Sequence, residues 1–141
     1  MVKLSLTKSD RLCSEKLISS LFNNGHAHFR YPIRVVYRRV DSGFIQSQAQ
    51  GAFSVPKKRF KRAVKRNLLK RRMREAYRLQ KGGFYDRLKA VDSKVIFMFV
   101  YASNEILSFQ IISKSISALL AEMVSLLENE KTVNKPTDTA D

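Results

Sequence analysis

The stretch from Lys57 to Arg78 reads KKRFKRAVKRNLLKRRMREAYR. From Lys57 to Arg74, eleven of eighteen residues are Lys or Arg and none is acidic. A run this cationic stays solvated and irregular unless apolar residues give it a face to bury. Here they do. At about 100° per residue, Leu69, Met73, Ala76 and Tyr77 fall on one side of a helix. Asn67, Lys70, Arg71, Arg74 and Arg78 fall on another, with Arg66 between the two. The spacing predicts a helix over residues 60–79, ended by Gly82-Gly83.

The segments on either side of this helix read as strands. Gly51 to Val55 is short, apolar and stopped by Pro56. Lys94 to Tyr101 continues after its lysine as VIFMFVY, apolar on both faces, as in a central strand covered on both sides. Two strands that flank a helix are expected to be parallel neighbours. Farther upstream, Ile33, Val35 and Tyr37 alternate with Arg34, Val36 and Arg38, the period of a strand with one solvated face. Before it, Ser14 is placed to cap a helix with the stripe Leu17, Ile18, Leu21 and Phe22, stopped at Asn23-Asn24-Gly25. His26 and His28 read as solvated residues after that stop, and 41–50 as a polar loop. Near the end, Ser108 caps a long helix with the stripe Phe109, Ile112, Ile116, Leu119, Leu120, Met123 and Leu127. The expected order is α-β-β-α-β-α, a small α+β sandwich of three or four strands carrying helices. Residues 1–128 form a single RNA-binding domain in this reading, and the polar segment 129–141, with Pro136, forms a disordered tail.

Composition narrows the partners. The 141 residues carry 27 Lys and Arg against 12 Asp and Glu, a net charge of +15. Residues 1–103 hold 24 of the cations and 6 of the carboxylates. A polyanion, nucleic acid first, is the partner that such a surface implies. The longest uninterrupted apolar run, Val95 to Ala102, is far short of the ~20 residues of a membrane span. No signal peptide is evident, and the single Cys13 excludes a disulfide framework and a multi-cysteine zinc site. These features point to a cytoplasmic protein.

Signals for a protein-borne active site are weak. Asp10, Glu15, Asp41, Glu75, Asp86 and Asp92 have no evident reason to converge as an acid–base pair. Gly82-Gly83 lacks the spacing and the Lys-Ser/Thr of a phosphate loop. The basic helix is the strong signal. Arg66, Lys70 and Arg74 stand at successive i,i+4 positions, where like charges repel by a few tenths of a kcal/mol per pair in isolation. A helix that accepts such pairs suits a partner with negative charges at similar spacing. Arginine offers planar bidentate donors to phosphate, and Asn67 both donates and accepts. Lys57, Lys58 and Arg62 extend the patch into the turn before the helix, whose N-terminus adds backbone donors. Phe22 and Tyr37, with Arg34 and Arg38 nearby, fit either core positions or a groove in which single-stranded bases stack.

The stretch from Phe53 to Glu75 resembles the signature of the bacterial ribonuclease P protein subunit. That pattern is an apolar strand, Lys-Lys, a short turn, Ala-Val, one residue, Arg-Asn, two residues, Lys-Arg, two residues, Arg-Glu. Lys57-Lys58, Ala63-Val64, Arg66-Asn67, Lys70-Arg71 and Arg74-Glu75 stand at that spacing. Arg11-Leu12, Ile18, Leu21-Phe22 and Gly25 also match the family's first helix. Leu68, Pro56 and Ile18 stand where the family commonly has arginine, serine and an aromatic residue.

The resemblance implies a ribosomal-protein-S5-domain-2-like fold with a left-handed βαβ crossover. It implies a role in ribonuclease P, a ribonucleoprotein endonuclease in which a catalytic RNA, with magnesium, hydrolyses precursor tRNA at its 5′ end. One protein per RNA is expected, with no membrane involved. By this likeness Lys57, Lys58, Arg62, Arg66, Asn67, Lys70, Arg71 and Arg74 would contact the catalytic RNA. Phe22 and Tyr37 would contact the single-stranded 5′ leader in a cleft between the first helix and the sheet. The chemistry would then lie on the RNA and its Mg2+, not on this chain. The alternative is a ribosomal or other structural RNA-binding protein with no role in cleavage. A helix-turn-helix regulator is disfavoured because Gly51 to Val55 reads as strand where that motif needs a helix. A nuclease acting alone is disfavoured by the absence of convergent carboxylates.

Overall fold

The computed structural model of the chain describes residues 8–140 apart from 42, 44 and 46, with side chains as far as Asn129. Residues 1–7 of the expected domain, those three positions of the 41–50 loop, and Asp141 of the expected tail lie outside the described residues. A short 3-10 turn (Lys8–Asp10) leads into α1 (Glu15–Asn24). There follow β1 (His26–Arg30), β2 (Ile33–Val40), β3 (Ala49–Ser54), α2 (Ala63–Ala90), β4 (Lys94–Tyr101) and α3 (Phe109–Ala140).

Both expected caps form. Ser14 Oγ accepts from the Leu17 N–H at 3.4 Å, and Ser108 Oγ from the Ile111 N–H at 3.3 Å. The strand read as central is central: the sheet order is β1-β2-β4-β3, so β4 is paired along both edges. β2 runs antiparallel to β4, and β3 runs parallel to it, as the intervening helix predicts.

Each sheet face has its own core because strand side chains alternate. One face carries Ile33, Val35, Tyr37, Phe97, Phe99 and Tyr101, buried beneath α2 and α3. The opposite face carries Val36, Val40 and Ile96, buried with Leu12 and Leu21 beneath α1 and the segment before it. β3 is the parallel edge strand, and the chain before α1 covers it: Arg11 bridges to Gly51, and the Leu12 N–H donates to the Gly51 carbonyl.

The hand of the β3–α2–β4 crossover follows from one hydrogen bond. The Val95 N–H donates to the Gln48 carbonyl, so residues of β4 whose side chains face α2 turn their N–H groups toward β3. For L-residues viewed with side chains toward the observer and the strand running upward, those groups point to the right. β3 therefore lies to the right of β4 beneath α2, and the path from β3 to β4 is left-handed. Such connections are right-handed in about 98% of proteins. The left hand that the resemblance implies is present.

The structure departs from the sequence reading in three places. Residues 26–30 are not a solvated linker but the edge strand β1, paired with β2 from His26–Tyr37 to Arg30–Ile33. Four of its five residues are exposed, so it carries no apolar alternation and depends on its hairpin partner. Next, α2 does not end at Gly82-Gly83 but continues to Ala90. Two helical glycines cost about 1 kcal/mol each. Lys81, Phe84 and Leu88, all buried on the stripe begun by Leu69 and Met73, hold the helix through them. Finally, α3 continues as helix through 129–140, the segment that its composition assigns to a disordered tail.

Phe109–Asn129 of α3 is long and apolar enough to cross a membrane by length and composition. Its stripe Ile112, Ile116, Leu119, Leu120, Met123 and Leu127 is spent on the core shared with α2 and the sheet.

Candidate nucleic-acid interface

The basic surface is built by α2 and the turn before it. Burying Leu69, Met73, Ala76 and Tyr77 against the sheet turns Asn67, Arg71 and Arg74 outward, all exposed, with Lys70 half-exposed. Lys57, Lys58 and Arg62 are exposed in the turn, Arg62 at the N-cap position with no side-chain cap. Among the described residues, none of Lys57, Lys58, Arg62, Lys70, Arg71 and Arg74 takes part in an ion pair or an intramolecular side-chain hydrogen bond. Two carboxylates that contact α2 are engaged elsewhere. Glu75 pairs with Arg78, whose hydrogen bond holds the Glu75 carboxyl below its usual range and raises the Arg78 guanidinium in turn. Asp10 pairs with Lys81. Asn67, Lys70, Arg71 and Arg74 thus share one side of α2, and Lys57, Lys58 and Arg62 stand exposed in the segment that leads into it.

Arg66, the eighth, is placed differently. It is half-buried, and its Nη1 donates to the carbonyls of Phe60 and Lys61 at 2.8 and 2.7 Å. Those oxygens belong to the turn that carries the cations, so Arg66 braces the turn. Two further arginines pin the same end of the domain: Arg59 donates to Asn104 Oδ1, and Arg72 to the Leu107 carbonyl. Helical spacing names the side that a residue occupies, and gives no signal for these bonds to distant loops.

The second expected site is divided by the sheet. Phe22 is 61% exposed on α1. Tyr37 is 3% exposed and lies on the other face, beneath α2 and α3, with the rings of His26 and His28 at 5.6 and 5.9 Å. The expectation that Phe22 and Tyr37 line one cleft is therefore corrected. Alternation sends Tyr37 into the main core and Val36 toward α1, against Leu21. What the sequence reading missed on the α1 side is Phe29, 54% exposed in β1 and paired with the exposed Arg34. A hairpin reading of residues 26–40 would have found it.

Among the described residues, no three His, Cys, Asp or Glu side chains come together as a metal site. Burial raises the Tyr77, Tyr85 and Tyr101 phenols above their ordinary values.

Comparisons with known proteins agree with this architecture. The family model for ribonuclease P matches residues 6–124. The chain is 38% identical over 130 residues to a ribonuclease P protein component of Porphyromonas gingivalis, covering 89% of this chain and 94% of that one. It is 29% identical over 126 residues to a ribonuclease P protein component of Chlorobium phaeobacteroides, covering 82% and 86%. Among solved structures, the RNase P protein of Staphylococcus aureus matches with a TM-score of 0.66 at 18% identity, over 82% of this chain and 96% of that one. The RNase P protein of Thermotoga maritima matches with a TM-score of 0.61 at 20% identity, over 78% and 94%. At those identities the two structures bear on the fold.

Proposed function

The chain belongs to the ribonuclease P protein family, and from that premise we propose that it acts in tRNA processing as the protein subunit of ribonuclease P. In this reading it binds the catalytic RNA through α2 and the turn before it, one protein per RNA, in the cytoplasm. The observation that carries the reading is the set of six cations, Lys57, Lys58, Arg62, Lys70, Arg71 and Arg74, unpaired among the described residues beside the donor–acceptor Asn67. Mutual repulsion on one face is relieved when phosphates take the place of counterions. Arg66 acts through the turn it braces.

The single-stranded 5′ leader of precursor tRNA is proposed to lie on the α1 side of the sheet, with Phe22 as a stacking surface. Tyr37 supports that face from the core behind it. Endonucleolytic removal of the leader would proceed on the RNA, whose magnesium ions supply the activated water. This chain's part is positional: it neutralises phosphates that would otherwise repel, and it adds leader contacts to substrate affinity.

The test is precursor-tRNA cleavage at low magnesium with a bacterial catalytic RNA, with and without this protein. A protein-only arm and an Arg71→Ala, Arg74→Ala arm complete the set. Cleavage at the mature 5′ end only with both components, lost in the double variant, supports the proposal. Tight RNA binding without stimulation would overturn it in favour of a structural RNA-binding role. Cleavage by the protein alone would place an active site on this chain.

A further inference from the structure

Strand pairing sets Phe29 opposite Arg34, Arg34 opposite Val100, and Ser54 opposite the same Val100. Opposed residues share a face, so these four form one row across the whole sheet on the side of α1. The adjacent row holds Val36 and Met98, which pack against Leu21 and Ile18 of α1. The helix stops there, and the row beginning at Phe29 lies open. Phe29 and Arg34 are exposed, while Val100 and Ser54 are half-buried and form a lower floor beside them.

The two ends differ. At one, the ring of Tyr31 meets Phe29 edge-on at 6.5 Å, and the Tyr31 hydroxyl is tied to Ser103 Oγ at 2.9 Å. Tyr31 is held from the end of β4, so the Phe29 ring is backed by a fixed neighbour. At the other end, the strand that carries Ser54 passes through Pro56 to Lys57 and Lys58. None of the side chains that the four strands present on this side is acidic. An aromatic face beside a guanidinium, with no carboxylate among the strand side chains on this side, is the chemistry of a single-stranded nucleic acid and not of an apolar protein segment.

We infer that this open row is a second stacking position of the leader site, where Phe29 receives a base of the single-stranded RNA beyond the one at Phe22 and Arg34 meets the phosphate between them. The inference rests on the leader reading above. It assigns the chain a site that is filled only when the leader is long enough to cross from α1 to β1.

The experiment uses holoenzyme reconstituted with a bacterial catalytic RNA. The substrates are two precursor tRNAs, one with a leader that ends at α1 and one long enough to reach β1. Phe29→Ala is expected to weaken binding of the long-leader substrate at least about fivefold, the low end for one base–aromatic stack. The short-leader substrate should bind as to the parent protein. Phe29→Tyr should restore the long-leader affinity, and Phe29→Leu should not. Phe22→Ala should weaken both substrates. A fluorescent adenine analogue in the distal leader should be quenched by the parent protein and not by Phe29→Ala. If Phe22→Ala weakens both substrates while Phe29→Ala weakens neither, the second position is overturned and the leader site stands. If neither leader length nor Phe22→Ala changes affinity, the leader reading itself falls. Since Phe29 is exposed, an unchanged unfolding midpoint for Phe29→Ala shows that the fold is intact.

Discussion

Lys81 of α2 donates to Asp10 Oδ2 at 2.7 Å, and the two side chains keep only 8% and 4% of their exposure. The Tyr85 hydroxyl donates to the other Asp10 oxygen. This pair fastens the chain before α1 to the far half of α2, across 71 residues of sequence. It sits beside Gly82-Gly83, where local propensity would end the helix. Lys81→Met alone is expected to cost about 3–5 kcal/mol, because it strands a buried carboxylate. Lys81→Met with Asp10→Leu should recover much of that loss. Denaturant midpoints of the two single variants and the double variant measure it.

Gly82 and Gly83 have room: a Cβ at either would meet nothing within 4 Å. Each Gly→Ala change should stabilise the protein by about 0.5–1 kcal/mol, by removing freedom from the unfolded chain. RNA affinity should stay the same. Thermal unfolding and a binding titration check both halves. Gly51 is the opposite case, because its Cβ would stand 2.2 Å from the Phe97 ring, and Gly51→Ala should destabilise by about 1–3 kcal/mol.

The six cations of the turn and of α2 that are unpaired among the described residues set a salt dependence. If each neutralises one phosphate, log K for the catalytic RNA should fall against log salt with a slope of roughly −4 to −5. Arg71→Ala or Arg74→Ala should make the slope shallower by about 0.7–0.9. Arg66→Ala should weaken binding through a loosened turn. Arg66→Lys should rescue it in part, since both bonds come from one nitrogen, Nη1, and an ammonium on a shorter stem also carries more than one donor. Filter binding across a salt series separates the two behaviours.

Phe22 and Tyr37 should part company. Phe22→Ala is expected to lower leader-dependent affinity by about 1–3 kcal/mol with little change in stability. Tyr37→Ala removes a buried ring from the main core and should lower stability by about 3–5 kcal/mol, with no leader-specific loss. Unfolding curves beside affinities for leadered and leaderless substrates test the pair.

The amino-acid sequence by itself determined whatever depends on a short repeat or a local partner. Ser14 and Ser108 cap the helices expected of them, the VIFMFVY strand lies at the centre of the sheet, and the stripe from Leu69 to Tyr77 is buried with the cations facing out. It also carried the motif from Phe53 to Glu75 that led to the family. Tertiary structure alone decided the rest. Alternation sets Tyr37 opposite Val36 in facing, but only the placement of α1 and of the α2–α3 layer decides which of the two lies beneath α1. The strand β1 has too little apolar pattern to announce itself and exists because β2 pairs with it. α2 outlasts its glycines because Asp10, brought from the other end of the domain, and the buried Phe84 hold the helix beyond them. Arg66 reads as one more cation until the Phe60 and Lys61 carbonyls are seen within its reach. In each case the deciding contact is a pairing or a side-chain bond that no repeat of apolar residues encodes, whether it spans five residues, as at Arg66, or 71, as at Asp10 and Lys81.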